Sequence, residues 1–181
     1  MAEQTVLDVA FDSNVLTFFL DANRGQYELV SGDPLRPQRI AAYRLFLFCR
    51  PFIVRTVASE AERITNDDKL REHMQFISYQ FGECIPDEAQ VRAIERRASE
   101  LEPFHPGKLN DCRILAEVEL CQLPLVVTFD TDFQKRLSTH TKVRIQTPAE
   151  CWQSFSIPPG ARPQWVPARG HPLANETWWR W

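Results

Sequence analysis

Pro124-Leu-Val-Val-Thr-Phe-Asp-Thr-Asp-Phe133 is the stretch on which the fold turns. Residues 125–127 are short, apolar and β-branched, the composition of a buried strand. The run ends abruptly in Thr128, Asp130 and Asp132. Ligands of open α/β sheets bind just beyond the carboxyl ends of strands. Two acids at that place therefore predict a cation site, and the rest of the chain should supply more carboxylates at equivalent positions.

Outward from this strand, helices and strands alternate. Residues 110–123 have a helical pattern, 132–137 form a short helix, and 143–145 read as a last strand. Thr147-Pro148-Ala149-Glu150 is a helix start, with a capping residue, a proline at the first position and an acid in the first turn. Towards the amino terminus, 6–11 read as the first strand, 14–21 as a helix and 23–37 as a loop containing Gly25, Gly32 and Pro34. Helical periodicity returns over 38–49 and is expected to stop at Pro51. A strand at 52–54, helices at 57–65 and 67–81, and a brief strand at 84–86 follow. Asp87 is placed to cap a charged helix running to Leu101, and 103–109 form a loop. This alternation means an α/β fold with a largely parallel sheet. The domain spans 1–156. Over 157–181, Pro158, Pro159, Pro163, Pro167 and Pro172 alternate with Trp165, Trp178, Trp179 and Trp181, which predicts an irregular carboxyl-terminal strap.

The 181 residues suffice for one domain with a sizeable core. A net charge of −3 is not that of the basic body of a typical DNA binder. It leaves room for a nucleic-acid enzyme whose acids are offset by metal. The five cysteines include no Cys-x-x-Cys pair and read as reduced core thiols, with Cys112 and Cys121 on one helix. The scattered histidines argue against a zinc site. The amino terminus lacks the basic region of a signal peptide, and the apolar stretch 41–54 is broken by Arg44, Arg50 and Pro51. The expectation is a cytoplasmic protein that does not enter a membrane.

The carboxylates can be placed by helical phase. Asp12 ends the first strand; its bland alternative is a helix cap. Asp8 lies deeper in the strand and is a poorer candidate. At about 100° per residue, Glu60 shares a side with Val57 and Ile64, whereas Glu62 points the other way. Glu60 thus faces the sheet and needs a metal or a partner such as Arg55. Asp111 lies in phase with Ile114, Leu115, Val118 and Gln122, and Glu117 and Glu119 fall on the flanks. The alternative for Asp111 is a first-turn acid favoured by the helix dipole. Asp130 comes directly off the buried strand, Asp132 is a candidate cap for the next helix, and Thr128 is placed to fix a carboxylate by a hydrogen bond. Clustered acids raise one another's pKa unless a counter-charge is present. An all-oxygen set suits Mg2+ or Mn2+, which can generate a hydroxide nucleophile and stabilise a phosphoryl oxygen.

The ordered series Phe-Asp12-Ser-Asn-Val-Leu, Val-Ala-Ser-Glu60-Ala-Glu-Arg-Ile, Asn-Asp111-Cys-Arg-Ile-Leu-Ala and Val-Val-Thr-Phe-Asp130-Thr-Asp132-Phe resembles the PIN-domain family over about residues 5–155. The resemblance implies a three-layer sandwich with a central parallel sheet. It also implies an Mg2+- or Mn2+-dependent endoribonuclease, with Asp12, Glu60, Asp111 and Asp130 as catalytic and metal-holding acids. Asp132 would be a further metal-site acid, with Asn14 and Thr128 in support. RNA is the expected substrate. Because many bacterial members resemble the toxin of a toxin–antitoxin pair, an antitoxin protein and a second copy of the chain join the expected partners. Phe129, where a small polar residue is commoner, and the long segments 65–109 and 157–181 depart from a minimal toxin. Lys108, Arg24, Arg55 and Arg63 flank the motifs as phosphate contacts or plain surface charge. The tail's Arg162, Arg169 and Arg180 are spaced among tryptophans, either to stack bases or to pack on the domain. Two other classes stay open: a non-catalytic PIN-like interaction module, and a metal-dependent phosphohydrolase, against which Asp12-Ser13-Asn14 lacks a second acid.

Overall fold

A computed structural model describes residues 7–24 and 35–154. The predicted strap at 157–181, with its arginines and tryptophans, lies outside the described residues, as does most of the loop predicted over 23–37. Five strands, β1 (Leu7–Phe11), β2 (Cys49–Val54), β3 (Gly82–Cys84), β4 (Leu125–Val127) and β5 (Arg144–Gln146), form one sheet in the order β3-β2-β1-β4-β5. Every pairing is parallel. The helices are α1 (Ser13–Arg24), α2 (Arg36–Phe48), α3 (Arg55–Ala61), α4 (Asp67–Gln80), α5 (Glu88–Leu101), α6 (Leu109–Leu120), α7 (Thr131–Leu137) and α8 (Pro148–Ser154).

Strands β1 and β4 lie at the centre. Val9, Ala10, Phe11, Leu125, Val126 and Val127 are all buried, which a period-two strand achieves only when both faces of the sheet are covered. The chain runs outward from β1 through β2 to β3, then returns to β4 and continues to β5. With right-handed crossovers, that reversal puts α5 and α6 on the face opposite α1 and α2. One layer is aromatic. Phe19 stacks on Phe46 at 4.2 Å and meets Phe76 and Phe81 edge-on, and Phe11 joins from the sheet. Trp152 docks α8 on α2, with Phe48 against its ring and the Arg44 guanidinium over it at 3.8 Å.

Local chemistry explains most boundaries. The Asp87 side chain accepts from Gln90 N while Gln90 reaches back to Asp87 N, the reciprocal cap expected for α5. Thr147 and Glu150 exchange the same pair of bonds at α8. Three expectations need correction. Pro51 does not separate a helix from a strand, because it lies within β2. It pairs in register with Val9 on one side, and β3 begins only opposite Phe52, so no neighbouring strand on that side needs its missing N–H. Strand β3 lies at Gly82–Cys84 rather than 84–86. Gly82 is required there because a Cβ would collide with the Phe52 ring. Helix α6 stops at Leu120: Gln122 turns to φ 55° and Leu123 N donates to Val118 O, a left-handed cap.

The cysteine expectation is also overturned in part. Cys84 and Cys121 form a disulfide that ties the end of β3 to the cap of α6, while Cys49, Cys112 and Cys151 are free and buried. Cys121 sits just beyond α6 rather than within it, which frees its side chain to reach β3. The disulfide withdraws the support that reduced thiols lent to a cytoplasmic location. Among the described residues no helix is long and apolar enough to cross a membrane.

Candidate functional site

The sheet changes direction between β1 and β4, and ligands of doubly wound sheets bind in the crevice beyond such a switch point. Asp12 follows β1 directly, and its N–H still bonds Val127 O of β4 at 3.0 Å. The side chain is 6% exposed. Its Oδ1 accepts from Ser13 N at 2.7 Å and its Oδ2 from the Thr128 hydroxyl at 2.6 Å. Burial nevertheless wins and pushes the carboxyl up to about 6; the two hydrogen bonds pull it down, and the charges of Asp111 and Glu60 raise it further. Asp8, the poorer candidate, is held by Arg50 opposite it on β2, at 2.5 and 2.6 Å.

Thr128 is fully buried and its hydroxyl is the hub of the strand end. Besides donating to Asp12 it accepts from Asp130 N at 2.9 Å and from Asn14 Nδ2 at 3.3 Å. The Asn14 Oδ1 in turn accepts from Phe129 N at 3.0 Å. Asn14 and Thr128 thus lock the 128–130 turn to the start of α1. Phe129 packs edge-on against Phe18, which accounts for a large residue at that position.

Of the two acids after β4, the cap of the next helix is not the one expected. Asp130, not Asp132, caps α7: its Oδ1 accepts from Asp132 N at 2.8 Å and Phe133 N at 3.1 Å. Asp132 is an exposed acid in the first turn. The helix begins one residue earlier than its apolar pattern suggests, so the cap falls two residues upstream.

Glu60 is half-buried and Glu62 exposed. Glu60 Oε2 accepts from the Ser13 hydroxyl and Oε1 from Asn110 Nδ2 at 2.7 Å, so Arg55 is not the partner of Glu60. Asp111 stands in the first turn of α6, and its Oδ2 meets His105 Nε2 at 2.9 Å. Its carboxyl is raised, first by burial, against the lowering effects of His105 and Lys108; the charge of Asp130 raises it too. His105 is 3% exposed and lies against the Phe133 ring. Lys108 precedes α6, exposed, with no side-chain capping bond.

Sequence reasoning missed Ser13, His105 and Asn110. Ser13 and Asn110 are the immediate neighbours of Asp12 and Asp111, a signal that was present but unused. His105 carries no such signal, because only the fold of the 102–108 turn brings it under Asp111. Glu117, placed on a flank by helical phase, is in fact buried: it accepts from Thr56 N at 3.0 Å and the Thr56 hydroxyl at 2.9 Å and so caps α3 from α6.

Four acids from four segments therefore face one edge and influence one another electrostatically. Each is oriented by its own protein donors, and among the described residues no three His, Cys, Asp or Glu side chains are grouped so as to hold a metal ion. The donor chemistry itself fits a hard divalent cation, since every acid offers oxygen.

The fold is of the PIN-like α/β class. Among solved structures, the chain aligns with VapBC2 from Rickettsia felis bound to a DNA fragment from its promoter, at TM-score 0.51 and 10% identity, covering 78% of this chain and 98% of that one. It also aligns with VapBC-1 from nontypeable Haemophilus influenzae, at TM-score 0.49 and 11% identity, covering 79% and 99%. At such identities the likeness is one of fold. No family model and no curated protein match the sequence.

Proposed function

We propose that the chain is a Mg2+- or Mn2+-dependent endoribonuclease and the toxin of a toxin–antitoxin pair. One observation carries the reading: Asp12, Glu60, Asp111 and Asp130 come from four separate segments to the switch point of a parallel sheet, where burial first, and neighbouring acids after it, raise the Asp12 and Asp111 carboxyls. A scaffold gains nothing from unbalanced buried charge. Asp12, Asp111 and Asp130 would hold the ion, with Glu60 as a direct or water-mediated ligand and Asp132 at the outer margin. When bound, a divalent ion neutralises charge on a phosphodiester and activates water for in-line attack. The chain's own residues orient the acids. Thr128 holds Asp12, His105 holds Asp111, Ser13 and Asn110 hold Glu60, and the α7 N–H groups hold Asp130. Lys108 lies beside Asp111, where it can meet a substrate phosphate. The toxin role and an antitoxin partner draw on the likeness in fold to VapBC2.

The test is cleavage of an RNA panel with Mg2+ or Mn2+, comparing wild type with Asp111→Asn. Cleavage that is abolished by EDTA and by the substitution is expected; no cleavage and no metal binding would end this reading. Induced expression should arrest growth, and Asp111→Asn should not. A second reading, a non-catalytic interaction module, is favoured by one fact: the acids are already satisfied by protein donors, and among the described residues no three are grouped around an ion position. It predicts metal-independent binding of a protein partner and no RNA cleavage.

A further inference from the structure

Three ties hold α6 to α3 and to the strand end from which α3 starts. Asn110 Nδ2 donates to Glu60 Oε1 at 2.7 Å. Glu117, about two turns on, accepts from Thr56 N at 3.0 Å and from the Thr56 hydroxyl at 2.9 Å. Cys121, about one turn further, is bonded to Cys84, which pairs with Val54, the last residue before α3. This joint fixes Glu60 on α3 relative to Asp111 on α6, and the disulfide is its covalent link. The cysteines differ in reach. Cys49, Cys112 and Cys151 are free and fully buried, and burial pushes their thiols up, Cys112 to about 11 and Cys151 to about 12. Such thiols are inert. Cys84 and Cys121 are only half-buried. A largely apolar cavity of about 170 Å3 opens against Cys84, with Arg55, Ala58 and the exposed Ile85 in its wall. The bond thus lies on the edge strand of the sheet, beside an opening through which a thiol can reach it.

We propose that the Cys84–Cys121 bond is a redox switch whose state sets how firmly α3 and α6, and with them Glu60 and Asp111, are held together. The co-reactant is a dithiol reductant. Its thiolate enters by the cavity and attacks Cys84 Sγ. A mixed disulfide forms, the bond to Cys121 breaks, and Cys121 leaves as a thiolate that takes a proton from water. The second thiol of the reductant gives its proton to water and attacks the reductant's own sulfur in the mixed disulfide. The reductant closes to a cyclic disulfide, and Cys84 leaves and is protonated. The dithiol is oxidised and the protein disulfide reduced. In the reduced protein the joint rests on its hydrogen bonds, so the oxidised form is the one with its acids held in place. This rests on the nuclease reading for what the two acids do, but not for the joint that carries them.

The experiment compares wild type poised oxidised or reduced in dithiothreitol buffers, Cys84→Ser/Cys121→Ser, and a control, Trp152→Ala, which loosens α8 on α2 and leaves the joint alone. Each form is desalted under argon, and circular dichroism checks that it is folded. Alkylation under native conditions, Mn2+ affinity, RNA cleavage and amide hydrogen exchange in α3 and α6 are then measured. Reduction should add alkylation at Cys84 and Cys121 alone, with the chain still folded. It should raise the Kd for Mn2+ about tenfold, the lower end for a metal site that loses its outer support. Exchange in α3 and α6 should quicken, and oxidised dithiothreitol should reverse both changes. The serine pair should match the reduced wild type in either buffer; if it does not fold, the reversible titration of the wild type carries the test. Unchanged Mn2+ affinity and cleavage in the reduced, folded protein would overturn the switch and leave the nuclease reading standing. Faster exchange in α3 and α6 on reduction, with no metal binding and no cleavage by any form, would uphold the switch and end the nuclease reading. Three results overturn the inference outright: no alkylation at Cys84 and Cys121 while the protein is folded, unfolding on reduction, or the same loss of Mn2+ affinity in oxidised Trp152→Ala.

Discussion

Replacing Asp12 by asparagine should make the metal-free protein more stable at neutral pH. Asp12 titrates at about 6 in the fold against 3.8 for an unperturbed aspartate. One pKa unit is worth about 1.36 kcal/mol, so holding this carboxylate charged costs the fold roughly 3 kcal/mol. The folded state binds the proton more tightly than the unfolded state. Stability contributed by this group is therefore highest below about pH 4, falls as pH rises towards 6, and is flat above. The Asp12→Asn substitution removes that penalty but turns an amide towards the Thr128 hydroxyl, forfeiting a hydrogen bond worth about 1 kcal/mol. The net expectation is a gain of about 1–2 kcal/mol at pH 8 in EDTA and none, or a small loss, at pH 4. Urea denaturation of both forms across this range measures it. Added Mg2+ should then stabilise the wild type at pH 8 and leave Asp12→Asn unmoved, because bound metal supplies the missing counter-charge. Parallel stability curves for the two proteins from pH 4 to 8 would refute the argument, since they would mean that Asp12 is not a buried charge.

Two further outcomes concern the frame of the site. Glu117→Ala removes both acceptors for Thr56 and should cost roughly 1–3 kcal/mol in denaturation; Glu117→Gln, which keeps one acceptor, should lose less, and equal losses would discount the cap. Reducing the Cys84–Cys121 disulfide, which spans 37 residues, should lower stability by roughly 4 kcal/mol on the chain-entropy account. Thiol titration of the unreduced, denatured chain should find the three free cysteines 49, 112 and 151, and five after reduction; five from the outset would mean that no disulfide forms.

The readable parts of the chain were those governed by local periodicity. Strand β4 falls on the residues predicted for it, because a short, β-branched apolar run bounded by Pro124 and Thr128 suits a buried strand. The caps of α5 and α8 were legible for a similar reason: their donors and acceptors lie three residues apart. Helical phase also separated Glu60 from Glu62, since both lie along one short helix and its cap. Phase misplaced Glu117, whose burial depends on α3 docking against α6. It could not find Pro51's place in β2, which depends on where β3 begins.

Alone, the sequence determined the class of fold and the alternation of its elements, which follow from periods of two and 3.6 residues, and it singled out the acids whose role is proposed above. The tertiary structure decided who holds whom. Asp130 rather than Asp132 became the α7 cap, His105 came under Asp111, Thr128 became the hub for Asp12 and Asn14, and Cys84 met Cys121. Most of these contacts join segments far apart in the chain. Their partners are chosen by strand order and helix docking, to which no local window of sequence has access.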